Sequence, residues 1–456
     1  MPATTLPVSD GRGVWWAGGV TSTASDETRS DVPADPAEDL SAYIAASPSP
    51  YHAAQEALLR LVTRGGWQEV SETDAWAPVE RGAVVRRGAL VAWWWPESAP
   101  AHVPLRVVGA HTDSPNLRVK PRPDTGRAGW RQLGVEVYGG PLLNSWLDRD
   151  LGLSGSVSVH DPAGPTEVLF RTDEPIARLP QLAIHLDREI YEKGVDLDRQ
   201  RHLAPVWGLG TPEPGGFSHW LAAQVGTAPD DVLGWELMFH DLTPPAVIGV
   251  DRSLLAAPRL DNQASCWAGV EALLAAAGTA DTPVVLCLFD HEEVGSVSSA
   301  GAGGDVLPGI LERLVAVRGG GDDELRRSLA GSACASADMA HATHPNYSER
   351  HEPEHWIEAG GGPVLKINSQ SRYATDAKAA GIAAAAARQA EVPLQRYVNR
   401  TDLPCGSTIG PVTAARLGMT TFDVGAPQLS MHSARELCAV ADLDPYVRFL
   451  AAFCSP

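Results

Sequence analysis

The 456-residue sequence predicts an α/β protein in which a mostly β segment is inserted into a domain built on a mixed sheet. Three observations carry that expectation. The run VVLCLF at 284–289 is wholly apolar and too short for a helix, so it reads as an interior strand covered on both faces. It stops abruptly at Asp290, His291, Glu292 and Glu293 and gives way to glycine and serine. A buried strand delivers functional groups to its end in this way, where open α/β sheets place their ligands. Between about 121 and 250, strand-like patches broken by Pro and Gly replace the helical periodicity seen on either side. The expected organisation is a tail over 1–36, an α/β domain made of 37–120 and 251–456, and an inserted β-rich domain over 121–250.

Residues 1–36 are rich in Ser, Thr, Asp, Gly and Pro and read as a loosely ordered tail, with Trp15-Trp16 as a docking contact. A helical pattern opens at Ala37 and runs to Ser47. A Pro-rich turn then leads into an amphipathic helix with apolar positions Ala54, Leu58, Leu59 and Leu61, stopped by Gly65-Gly66. Strands are expected over 83–86, 89–95 and 105–109, with Trp93, Trp94 and Trp95 in the core or flooring a pocket. Inside the insertion, 132–138 and 153–159 read as strands. Beyond Val250 the pattern predicts a helix at 262–277, the strand at 284–289, a helix at 307–317 and a strand at 331–335. An Ala-rich helix through 381–387 and a closing helix from Ala434 complete the chain, which has no internal repeat.

A formal net charge of −20 argues against nucleic acid as a partner, because phosphate backbones call for a basic surface. Six cysteines without a paired short spacing read as reduced core residues of a cytoplasmic protein. No basic-then-apolar leader and no apolar run of about 20 residues is expected to target or span a membrane.

Five strand or loop ends each bring a His, Asp or Glu. His111 and Asp113 follow LRVVGA, Asp261 follows APRL, Glu292 and Glu293 follow VVLCLF, Asp338 follows CASA, and His432 follows APQLSM. A mixed imidazole and carboxylate set suits zinc or another borderline divalent ion. Adjacent side chains on an extended backbone point opposite ways, so Glu292 and Glu293 take different jobs: one holds a metal, the other moves a proton. His111 and Asp113 share a face, where a carboxylate can fix the tautomer of a ligating imidazole. Taken singly, each also has a plain structural account. Asp261 is a helix N-cap signal and Asp113 precedes Ser-Pro as in an Asx-turn. Gly406-Ser407-Thr408 lacks a GxxxxGK[ST] context and reads as a substrate-side wall, not a nucleotide loop.

The segments GAHTDSPNLRVKP, PRLDNQAS, FDHEEVGS, SADMAHATHPNY, KINSQSRYATD, DLPCGSTIGP and MHSARE resemble, in order and context, those of the aspartyl aminopeptidase family. These are dizinc metallopeptidases that remove amino-terminal acidic residues from unblocked peptides. The resemblance runs from about Leu40 to the carboxyl terminus. It implies two divalent ions, zinc first with cobalt or manganese as alternatives. Their ligands would be His111, Asp338, Glu293 and His432, with Asp261 bridging. It implies Glu292 as general base and acid, Asp113 as orienting partner of His111, and substrate roles for His341, Lys366 and Tyr373. It also implies that His185 reaches a neighbouring subunit's active site within a tetrahedral homododecamer whose chamber admits peptides. An aminopeptidase preferring neutral amino termini, another dizinc amidohydrolase, and a non-catalytic shell protein on the same fold are the rival readings.

Overall fold

The computed structural model describes Trp15–Trp16 and residues 35–456. Apart from those residues, the tail expected over 1–36 lies outside what is described. Two compact units emerge: Asp35–Ser114 with Pro244–Pro456, and Pro115–Thr243 with the Trp15–Trp16 strand.

The larger unit is organised by a nine-stranded sheet, counted among the described residues. At its centre Arg106–His111 lies parallel to both Val284–Phe289 and Ala333–Ala337, and Ala333–Ala337 lies parallel to Thr420–Gly425. Antiparallel strands flank these four on both sides, Ala89–Trp94 beyond Val284–Phe289 and Val364–Ile367 beyond Thr420–Gly425, with three further strands outside them. Strand periodicity then explains the core. Leu286 and Leu288 face a cluster with the helices Pro36–Ala46, Pro50–Gly65, Leu260–Ala276, Ala377–Gln389 and Leu443–Cys454. Val285, Cys287 and Phe289 face a second cluster, with Val306–Ala316, Asp322–Gly331 and Ile409–Leu417. All six residues of Val284–Phe289 are buried, so this strand is covered on both faces. Each such aliphatic side chain contributes about 1.5–3 kcal/mol by leaving water. The tryptophans 93 to 95 are buried core residues. No described helix is long and apolar enough to cross a membrane.

Four parallel strands align their carboxyl ends, and the segments that leave those ends meet along one edge. A smaller five-stranded sheet in the same unit includes Leu254–Ala257, Glu436–Ala439, Pro427–Leu429 and Ala340–His341. It corrects one expectation: the chain after Ala434 forms the strand Glu436–Ala439, and the closing helix begins only at Leu443. Backbone pairing with Leu254–Ala257 outweighs the helical propensity of Arg435-Glu436-Leu437. The strand expected at 331–335 is Ala333–Ala337, because Gly331 still ends the preceding helix.

In Pro115–Thr243, Asp150–Val159 pairs with Val232–Asp241, which also pairs with Asn116–Arg127. Trp130–Tyr138, Val206–Leu209 and Ala177–Arg178 complete a closed ring of strands, and Thr166–Arg171 branches from it beside Asp150–Val159. Phe217, Trp207, Trp220 and Trp235 pack edge-to-face or tilted inside the unit. The strand Asn116–Arg127 crosses Pro121 and Pro123 by means of a register shift between Val119 and Asp124. Trp15–Trp16 pairs parallel to Val168 and Leu169.

Candidate metal centre

His111 is the last residue of its strand and is buried. Its Nδ1 donates to the carbonyl oxygen of Asp113 at 3.0 Å, with the Asp113 carboxylate at 3.5 Å. That bond fixes the tautomer and leaves the lone pair of Nε2 pointing at carboxylates, Asp261 Oδ1 at 3.5 Å and Asp338 Oδ2 at 3.8 Å. The two oxygens of Asp261 look in different directions. While Oδ1 faces His111, Oδ2 lies 3.4 Å from His432 Nε2, which is itself 3.3 Å from Glu293 Oε2. Donor atoms of His111, Asp261 and Asp338 therefore form one compact trio and those of Asp261, Glu293 and His432 another, the two sharing Asp261; His111, Glu292 and Glu293 form a third. Tetrahedral ligands at about 2.0–2.2 Å from zinc lie about 3.4 Å from one another, which matches these spacings. Buried Asp261 Oδ1 and Glu293 Oε1 have no hydrogen-bond partner, as oxygens kept for a cation would.

The electrostatics ask for the same cation. Burial opposes ionisation of Asp261, yet the facing imidazoles of His111 and His432 hold it well below the usual carboxylate range. Burial pushes Glu293 up, with His432 opposing. Glu292 rises to about 8, chiefly through burial, with His111 opposing and the charges of Asp338, Asp113 and Asp261 adding to the rise. Burial alone would lower the pKa of His111, but the carboxylates of Asp113 and Asp261 beside its ring raise it well above the ordinary value.

Two further carboxylates hold the site, and sequence reasoning missed both. Buried Glu436 accepts the backbone N–H of Asp261 at 2.9 Å and of His432 at 2.7 Å, tying two facing ligands to one group. It stands within MHSARE, but nothing in that spacing marks it as a support. Asp423, fully buried, accepts from the Thr408 hydroxyl and from the Ala374 N–H at 2.6 Å. It lies directly opposite Lys366 across the strand pair. Asp423 thus anchors the segments that carry Tyr373 and Gly406-Ser407-Thr408. The Asp113 carboxylate, expected to orient His111, accepts the N–H groups of Glu292 and Glu293, both at 3.1 Å, and so shapes the turn carrying both glutamates, while its carbonyl takes the His111 bond.

A cavity of about 560 Å³ opens over the cluster and is lined by His111, Asp261, Glu292, Glu293, Asp338 and His432. His341, Lys366, Tyr373, Gly406, Ser407 and Thr408 complete its walls. Lys366 is buried, with Nζ 3.0 Å from Asp338 Oδ1 and 3.2 Å from the Met339 carbonyl, so it is no solvated strand residue. His341 lines the cavity and is exposed within it, with neighbouring protein and the Lys366 charge shifting its pKa downward. His185 belongs to the other unit, is exposed, and forms no part of this lining. Replacing Asp423 by Asn is expected to raise KM about tenfold, by loosening the Thr408 and Ala374 anchors. Metal content should stay at the wild-type level in elemental analysis, which separates this role from a ligand's.

Fold and donor set together are those of a metal-dependent hydrolase. The family described as aminopeptidase I zinc metalloprotease (M18) matches residues 43–454, and the chain belongs to it. It is a zinc-dependent aminopeptidase. A probable M18 family aminopeptidase 2 of Streptomyces coelicolor is 53% identical over 424 residues, covering 92% of this chain and 97% of that one. Among solved structures, a chain of the Ape4 and Nbr1 complex is similar with a TM-score of 0.88 at 33% identity, over 92% of this chain and 85% of that one. The S. cerevisiae mApe1 dodecamer is similar with a TM-score of 0.80 at 25% identity, over 92% and 96%.

Proposed function

We propose that the protein removes the amino-terminal residue, preferentially Asp or Glu, from unblocked peptides with the help of two divalent ions. The observation that carries this reading is the division of Asp261 between two donor trios, Oδ1 with His111 and Oδ2 with His432. His111 and Asp338 would hold one ion, Glu293 and His432 the other, with Asp261 shared. Zinc fits the mixed donors, and cobalt or manganese are the alternatives. Such a pair supplies a water of lowered pKa and polarises the scissile carbonyl. Glu292 lines the cavity outside the two trios and acts as the base. Its carboxylate takes the proton of the attacking water and returns it to the nitrogen of the leaving amine. Asp113 keeps Glu292 and Glu293 on their separate tasks through their backbone N–H groups. His341 and Tyr373 bind the substrate from the cavity wall.

Assembly belongs to this reading. The segment around His185 exposes Leu186 to 75% and Tyr191 to 87%, with Leu182 and Ile184 also open. A neighbouring copy in a homododecamer would cover them and receive His185 as an oxyanion donor. Tyr191→Asp combined with Leu186→Asp is expected to yield a smaller, inactive species in light scattering. His185→Ala should keep the assembly size and lower kcat. A fully active monomer would end the idea. The free cysteines, all buried except the half-buried Cys405, fit a reducing cytoplasm.

Acidic preference draws on the family resemblance and on Lys366 and His341 in the cavity. One observation favours a neutral preference instead: the Lys366 ammonium is already engaged by Asp338. Initial rates on aminoacyl chromogenic substrates, with and without zinc, cobalt or manganese, decide between them. Faster cleavage of Asp and Glu derivatives supports the acidic reading. Faster cleavage of Leu or Ala derivatives keeps the metal chemistry and removes the acidic pocket.

A further inference from the structure

The unit Pro115–Thr243 contains a second cavity, of about 520 Å³, unrelated to the metal cluster. Five cations line it: Lys120, Arg122 and Arg127 from one strand, Arg199 and Arg201 from the segment opposite. No Asp or Glu is among its lining residues. That is the reverse of the chain as a whole, which has 56 acidic residues against 36 Lys and Arg. Arg201 pairs with Asp198 at 2.8 Å, whereas Lys120, Arg122, Arg127 and Arg199 have no ion pair among the described residues. The acid on that strand, Asp124, is spent elsewhere: its oxygens accept the N–H groups of Gly215 and Phe217 at 3.0 and 2.9 Å. The register shift at 119–124 bends the strand at this cavity, and Gly134 across from it has no side chain to fill the space.

We propose that this cavity binds a small oligophosphate, an anion with at least two phosphate groups. Guanidinium forks match phosphate oxygens in geometry, and several unpaired cations around one concavity repel each other until an anion neutralises them. A volume of this size suits a small ligand better than a flat macromolecular surface does. No aromatic side chain lines the cavity to stack a base, so the phosphate chain itself, and not a nucleotide, is the group recognised. The site is independent of the peptidase reading and uses none of its residues.

Calorimetric titration of the intact assembled protein with sodium tripolyphosphate tests it, with ATP in parallel and at two salt concentrations. Expected are one saturable site per chain, weaker binding at the higher salt, and no advantage for ATP. Arg122→Ala with Arg199→Ala should weaken binding at least tenfold and leave peptidase activity unchanged. Arg199→Glu alone, at an exposed position, should do the same. Chelation of active-site metal would act equally on wild type and variants, so it cannot imitate that difference. Absence of saturable binding to the wild type, as when a neighbouring copy fills the cavity, overturns the proposal. Equal binding by the variants does so too, and tighter binding of ATP would remove the oligophosphate assignment.

Discussion

Glu292→Gln is expected to leave the protein folded, assembled and metal-loaded while lowering kcat by about 10³-fold, the middle of the range for a lost general base. The substitution keeps shape and volume, and the backbone N–H of residue 292 still reaches Asp113. Glu292 stands outside the two trios that share Asp261, so neither proposed ion loses a ligand. What disappears is the cavity carboxylate that the proposal assigns to neither ion. Elemental analysis beside steady-state rates makes the check. Activity and metal lost together would make Glu292 a ligand and require another base.

Asp261→Ala should have the opposite signature. Because its two oxygens face two different histidines, one truncation removes a donor from both trios at once. Metal content is expected to fall to well below one ion per chain, with activity undetectable. The variant should melt at a lower temperature that zinc no longer raises, since a ligand stabilises only the form that binds it. His432→Ala, by contrast, should retain the ion proposed for His111, Asp261 and Asp338. If Asp261→Ala kept one tightly bound ion, the shared-carboxylate geometry would be wrong.

How much of this was legible in the sequence depended on whether a residue acts through its own chain neighbours. Val284–Phe289 announced itself by uniform apolarity, and its polar successors could only be the end of a buried strand. The donors His111, Asp261, Glu293, Asp338 and His432 were readable as strand-end residues, although their meeting depends on parallel pairing that no local pattern encodes. Glu436 and Asp423 were illegible for a physical reason. Each works by accepting N–H or O–H groups from segments remote in sequence, and a buried acid so used has no characteristic spacing. Lys366 was expected to meet substrate, and only the fold shows its ammonium turned onto Asp338. The closing segment was misread because Arg435-Glu436-Leu437 has helical propensity, while its strand state exists only through Leu254–Ala257.

The closed ring of strands in Pro115–Thr243 has a consequence for how the chain is made. Its first and last long strands are neighbours, with Arg118 paired to Met238, so the polypeptide leaves and re-enters at nearly one place. During synthesis this unit can complete itself before Val284–Phe289 leaves the ribosome, as domains that fold in turn do. A folded insert of this kind acts as a short tether between Arg106–His111 and its later partner. The distant pairing of those two strands then costs the loop-closure entropy of a small loop, not of the whole intervening chain. Mutations that unravel the inserted unit would therefore slow the formation of the central sheet without touching any of its residues.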